Sequence, residues 1–157
     1  MCCGIQEFNT NNGLWTTLSR SVPSHFGRLA AALYDDRIIV VGADFSGLFN
    51  PETGDWTVLG GGGGGRTDGG GGGGCTGVSD FGLIVDDGRL YVLGGRRYNG
   101  GQYDASNEVK SVELATVVGD DGQAAAALRS SDWHPHARLP RPSLISVCGL
   151  LNIPSEL

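Results

Sequence analysis

Basic residues are scarce in this chain of 157 residues. It has a single lysine, Lys110, and 11 Lys+Arg stand against 17 Asp+Glu for a net charge of -6. A phosphate-backbone binder needs clustered Lys and Arg, so nucleic acid is excluded as the expected partner. Long apolar runs are missing too, and nothing approaches the ~20 residues that a membrane-spanning helix requires. Residues 1–12 have neither the basic start nor the hydrophobic centre of a secretory leader. The four cysteines, Cys2, Cys3, Cys75 and Cys148, include no Cys-x-x-Cys pair and make no metal frame. Free thiols without a leader favour a reducing compartment, and the expected location is intracellular, in the cytoplasm. Cys2-Cys3 reads as two unmodified surface thiols; acylation there would instead tether the chain to a membrane.

Glycine, by contrast, is abundant. Two unbroken runs, 60–65 and 69–74, hold 12 of the 28 glycines. They add backbone entropy and no side chain to bury, so 60–76 is expected to be a disordered insert. A phosphate cradle would need a preceding strand, a following helix and a Lys-Ser/Thr pair. Arg66-Thr67-Asp68, set between the runs, supplies none of these.

Internal similarity is the strongest signal. Phe8-Asn9 followed by Gly13-Leu14-Trp15-Thr16-Thr17-Leu18 recurs as Phe49-Asn50 followed by Gly54-Asp55-Trp56-Thr57-Val58-Leu59, an offset of 41. Arg37-Ile38-Ile39-Val40-Val41-Gly42 recurs as Arg89-Leu90-Tyr91-Val92-Leu93-Gly94, an offset of 52. Stretches 38–41 and 90–93 read as strands buried on both faces. Each follows an Asp-rich turn and an earlier apolar run, 29–33 or 81–85, which is a hairpin pattern. Third strands are expected over 47–50 and 109–114, and fourth strands over 55–59 and 132–139. Pro51-Glu52-Thr53-Gly54 supplies a turn in which proline fixes φ and glycine takes the left-handed conformation. The unit is a four-stranded antiparallel meander of about 40–50 residues, the size of a propeller blade.

The chain resembles the kelch repeat family. Gly94-Gly95 closes a second strand, Phe49-Asn50-Pro51 enters a turn, and Trp56 and Trp133 fall in fourth strands. Leu139-Pro140-Arg141-Pro142 leads toward a following first strand. Two positions depart from the pattern: Gly42-Ala43 replaces a glycine pair, and the second unit's third strand lacks the aromatic-Asn/Asp-Pro. The expected fold is all-β, a partial kelch-type propeller within a single domain. It comprises a half blade over 5–18, a blade over 27–59, the insert, a blade over 77–139 with its own insert 116–131, and a half blade over 142–153. The blades are expected to pack through Trp15, Trp56, Trp133 and the aliphatic second strands. Closed propellers have about 4–8 blades, so the count implies either a fragment of a longer chain or a homodimer that completes the ring.

Candidate chemistry is sparse. Arg96-Arg97-Tyr98-Asn99-Gly100-Gly101-Gln102-Tyr103-Asp104 reads as a rim loop that joins Arg and Tyr, residues enriched at interface hot spots, to flexible glycines. Arg96, Arg97, Tyr98, Asn99 and Tyr103 are the expected partner-binding residues, and in kelch proteins the corresponding loops commonly hold the partner. His134-Pro135-His136 has metal-pair spacing near Asp132, but no third ligand is placed by the sequence. It and His25 are expected to be structural or exposed. Asp35-Asp36 and Asp86-Asp87 fit hairpin turns, and Asp104, Glu108, Asp120 and Asp121 form no calcium loop. No metal, cofactor or catalytic constellation is called for. The expected function is protein–protein interaction; the resemblance adds ligase substrate adaptors and cytoskeletal binders as precedents. The alternative is a fragment of a propeller enzyme, an oxidase like galactose oxidase or a kelch-type isomerase. Such an oxidase would need a copper site, for which Tyr98, Tyr103, His134 and His136 are the nearest candidates.

Overall fold

The structure is a computed structural model and describes residues 4–22, 29–42, 45–60, 78–116, 118, 133–145 and 148–149. Cys2, Cys3, Cys75, His25, Asp120, Asp121, Asp132, the 61–77 stretch, most of the 116–131 insert and the 150–153 strand lie outside these residues. The architecture is all-β. Among the described residues twelve strands run in chain order: β1 Gly4–Asn9, β2 Leu14–Ser21, β3 Ala30–Tyr34, β4 Arg37–Val41, β5 Ser46–Phe49, β6 Trp56–Gly60, β7 Gly82–Asp86, β8 Arg89–Leu93, β9 Arg96–Asn99, β10 Gln102–Ala105, β11 Val109–Glu113 and β12 His134–Pro135. One 3-10 turn, Leu114–Thr116, follows β11.

Two four-stranded antiparallel meanders form the body, ordered β3-β4-β5-β6 and β7-β8-β11-β12. Their inner hairpins turn at the expected acidic residues. In β7–β8 both turn residues are left-handed, Asp87 at φ 44° and Gly88 at φ 68°. That Asp-Gly combination matches the twist of the flanking strands. Asp35 takes φ 50° in the β3–β4 turn. The two meanders share one core, in which Ile39, Val41, Leu48 and Leu59 join Leu83, Leu90, Val92, Val112, Leu114 and Trp133. Strand β4 is buried on both faces, whereas β8 alternates, with Leu90 and Val92 buried and Tyr91 half-buried. Tyr91 instead packs on His136, ring centroids 5.5 Å apart.

The two copies of the Phe-Asn stretch adopt one hairpin geometry. Asn50 Oδ1 accepts from the amides of Glu52 and Thr53, and Asn9 Oδ1 from those of Asn11 and Asn12. The amides of Gly54 and Gly13 close each turn on the carbonyls of Asn50 and Asn9, both at 2.8 Å. Their φ values are 73° and 70°, a region in which glycine escapes the Cβ penalty. Phe49 meets Trp56 at 5.0 Å and Phe8 meets Trp15 at 4.9 Å. The surroundings differ. Phe45 lies over Gly47 and covers Trp56 edge-on at 5.4 Å. Gly4 stands 41 residues before Phe45 and has no heavy atom near its Cβ position.

Several expectations change. Trp15 does not pack a blade: it is 65% exposed, because its own hairpin supplies only Phe8 as cover. The fourth strand of the second meander is two residues rather than 132–139. Pro135 and Pro140 lack the N–H that a ladder needs, yet the segment keeps to its path. His136, Leu139 and Ser143 donate to the carbonyls of Val109, Asn107 and Ser106. Among the described residues of 143–148 there is no strand. Ser143 and Ile145 instead bond to Gly95 and Asp80 across the end of the β7 meander. Residues 96–104 are a hairpin, not a loop: β9 and β10 form their own two-stranded sheet.

Candidate interaction site

The β9–β10 hairpin follows from a two-residue turn. Gly100 and Gly101 both have positive φ, 56° and 115°, as a tight primed turn demands. The register pairs Asn99 with Gln102, Tyr98 with Tyr103, Arg97 with Asp104 and Arg96 with Ala105. Residues directly opposite share a face, and faces alternate along each strand. One face therefore carries Arg97, Asn99, Gln102 and Asp104, and the other carries Arg96 and Tyr103.

Each face is internally ordered. Asn99 Nδ2 and Gln102 Nε2 donate to the two oxygens of Asp104 at 3.4 and 3.2 Å. Arg97 extends to Glu108, Nη2 to Oε2 3.0 Å, in an exposed pair. On the other face the Arg96 guanidinium stacks 4.4 Å from the Tyr103 ring centroid. Its Nε is paired with the carboxylate of Asp80, whose side chain is only 7% exposed. A ring face attracts a cation, so Asp80 and Tyr103 hold Arg96 from two sides. The Tyr98 side chain lies outside what the structure describes.

The base of the hairpin is fixed by the backbone. Ser79 and Arg96 exchange two bonds of 2.9 and 2.7 Å, Ser106 donates to Gly95, and Gly94 donates to Glu108. Gly94 and Gly95 sit at φ 61° and 92°. A Cβ on Gly95 would meet the Ser79 carbonyl at 2.7 Å, and one on Gly94 the Ser143 carbonyl at 2.6 Å. The glycine pair is thus required by close backbone approach as well as by conformation. Tyr103 remains 58% exposed on this mount.

Lys110 lies on the adjoining strand with Nζ 5.5 Å from the Trp133 ring centroid. Burial, together with the neighbouring Arg97 charge, lowers its pKa from the ordinary value, and Glu108 opposes the shift. The histidines take separate roles. His136 Nε2 lies 2.8 Å from the buried Ser111 hydroxyl, while His134 pairs with Ser111 in the ladder and is exposed. Among the described residues no group of three or more His, Cys, Asp or Glu is placed to hold a metal.

The expected residues Arg96, Arg97, Asn99 and Tyr103 thus share one hairpin, but the two arginines are engaged with Asp80 and Glu108. Asp80 was not a sequence candidate. It lies 16 positions from Arg96, across a strand pair, and no local spacing signals that meeting.

No family model and no curated protein matches the sequence. Among solved structures, one titled "Structure of YjhT" superposes with a TM-score of 0.57 over 88% of this chain, at 11% identity. The match covers 44% of that chain, so this protein spans less than half of its length. The likeness is one of fold, consistent with propeller-like blades. Among the described residues no helix is long and apolar enough to cross a membrane.

Proposed function

We propose that the protein is a protein-binding module of the kelch-propeller type, and that the β9–β10 hairpin is its contact element. The observation that carries this reading is the exposed Tyr103 on a hairpin anchored at its base by the Asp80–Arg96 pair. A rigid aromatic offers large contact area at low entropic cost, and pre-organisation spares the ordering penalty of association. The opposite face adds Asn99, Gln102 and Asp104 as polar contacts and Arg97 as a cation. Arg97 can change partner cheaply, because an exposed ion pair contributes only about 0–1 kcal/mol.

Quantitative capture from a native extract compares the wild-type chain with Tyr103→Ala, Arg97→Ala and an exposed control in the β3–β4 turn, Asp36→Ala. Tyr103 is expected to behave as a hot spot, its loss costing about 2 kcal/mol or more, so capture of a specific partner falls at least tenfold. Arg97→Ala weakens it less, and the control leaves it unchanged. Equal capture of every partner by all four proteins rejects the reading.

A further inference from the structure

We propose that the partner held by the β9–β10 hairpin presents an acidic segment, and that Arg138 and Arg141 grip its carboxylates beside the hairpin. The inference rests on the hairpin being the contact element and assigns the chemistry of what it meets. Antiparallel order fixes the placement. The hairpin joins β8 to β11 at one end of the second meander, and β12 runs toward that same end, so the segment after it emerges beside the hairpin's base. Backbone bonds tie the two together: Ser106 donates to Gly95 at the base, Ser143 to Ser106 and Leu139 to Asn107. Asn107 Nδ2 adds a bond to the Leu139 carbonyl at 3.4 Å.

The segment's chemistry is one-sided. Residues 133–145 read Trp-His-Pro-His-Ala-Arg-Leu-Pro-Arg-Pro-Ser-Leu-Ile and contain no Asp or Glu. Arg138 and Arg141 are both exposed. Among the described residues neither has an ion pair, whereas Arg89, Arg96 and Arg97 each have one. Charge is divided along the meander. Asp86, Asp87 and Glu113 stand at the opposite end, with Arg89 as their counter-charge. At the hairpin end Asp80 and Glu108 are matched by Arg96 and Arg97, and Asp104 is held by two neutral amides. The two remaining arginines therefore give this end the cations to complement an acidic partner. A guanidinium fork meets a carboxylate with two parallel hydrogen bonds. Side chains must carry the contact: Pro135, Pro140 and Pro142 have no N–H, and His136, Leu139 and Ser143 donate theirs inward, so the segment is a poor edge for strand addition.

Peptides selected from a random display library against the full chain should be enriched in Asp and Glu. Replacing their carboxylates by amides should weaken binding at least tenfold, as should the double variant Arg138→Gln, Arg141→Gln, which should also show a shallower dependence on salt. Both side chains are exposed, so the melting temperature of the variant should match that of the wild type. Tyr103→Ala separates this proposal from the reading beneath it. Binding lost in Tyr103→Ala but unchanged in the double variant rejects the acidic segment and leaves the hairpin standing. Binding lost in the double variant but unchanged in Tyr103→Ala rejects the hairpin and the proposal with it. Selection of neutral or basic peptides, or of none, overturns the proposal. Equal affinity for a single-stranded oligonucleotide or a phosphatidylserine vesicle does so too, since it would mark a general polyanion surface.

Discussion

Asp80 and Arg96 form an asymmetric pair, and the asymmetry decides which substitution is worse. The carboxylate side chain is 7% exposed and the guanidinium side chain 29%. Asp80 also holds φ 54°, a conformation that Asn tolerates well. Asp80→Asn should therefore destabilise by about 1–3 kcal/mol, since water can reach the cation left behind. Arg96→Met should cost more, because it strips a nearly buried carboxylate of this cation. Denaturant unfolding of both variants measures the order, and the reverse order would show that the pair is not what anchors the hairpin. Lys110 gives a second test at this scale. Its pKa lies below the ordinary 10.5 through burial first and Arg97 second, so the native state binds fewer protons than the unfolded chain between the two values. Stability therefore rises with pH across that window, and the penalty of the buried charge is fully present below it. Titration of the Lys110 Nζ by NMR should show its pKa rising in Arg97→Ala and falling further in Glu108→Gln. Lys110→Met should abolish the alkaline gain.

The hairpins show what sequence periodicity reveals and what it hides. Strands β4, β5, β6, β8 and β11 were legible because aliphatic runs end at turns whose chemistry is local: Asp87-Gly88 for φ > 0, and Pro51 through Gly54 for the Asn50-capped turn. The β9–β10 pair was not legible as strands. Arg-Arg-Tyr-Asn and Gln-Tyr-Asp-Ala carry no apolar alternation, and Arg97, Asn99, Gln102, Tyr103 and Asp104 are all exposed. Its only signal was Gly100-Gly101 flanked symmetrically by Tyr98 and Tyr103, the spacing of a two-residue turn. The irregular β12 region was misjudged for another reason: its prolines interrupt the ladder while side bonds keep its course. The paired turns also support a prediction that separates local from shared stability. Asn9→Ala and Asn50→Ala each remove the same two amide acceptor contacts, worth about 1 kcal/mol per net bond. Hydrogen exchange should show Asn50→Ala weakening protection throughout β3–β6. Asn9→Ala should loosen β1 and β2 alone, because that ribbon forms a separate two-stranded sheet. Equal spreading of both effects would mean that the ribbon is coupled to the body more tightly than its exposed Trp15 implies.

At the level of the whole molecule, one core joins the two meanders. Ile39, Val41, Leu48 and Leu59 come from the first, and Leu83, Leu90, Val92, Val112 and Leu114 from the second. Faces that bury side chains from both sheets cannot open independently, since separating them would expose both linings to water. This coupling was less legible than the strands. Alternation identifies which residues turn inward, but not which sheet they meet. The core therefore predicts cooperative unfolding of β3–β6 with β7–β8–β11–β12, despite the glycine tract between them in the chain. Leu90 is fully buried, at 0% exposure, and Leu90→Ala should cost about 2–5 kcal/mol through lost transfer energy and the cavity left behind. If the core is shared, that loss appears in both meanders. Amides of β4 and β5 lose protection together with those of β7 and β8, and a single denaturation transition moves to lower denaturant with an unchanged slope. Loss confined to β7, β8 and β11, or a transition that splits in two, would establish each meander as its own folding unit.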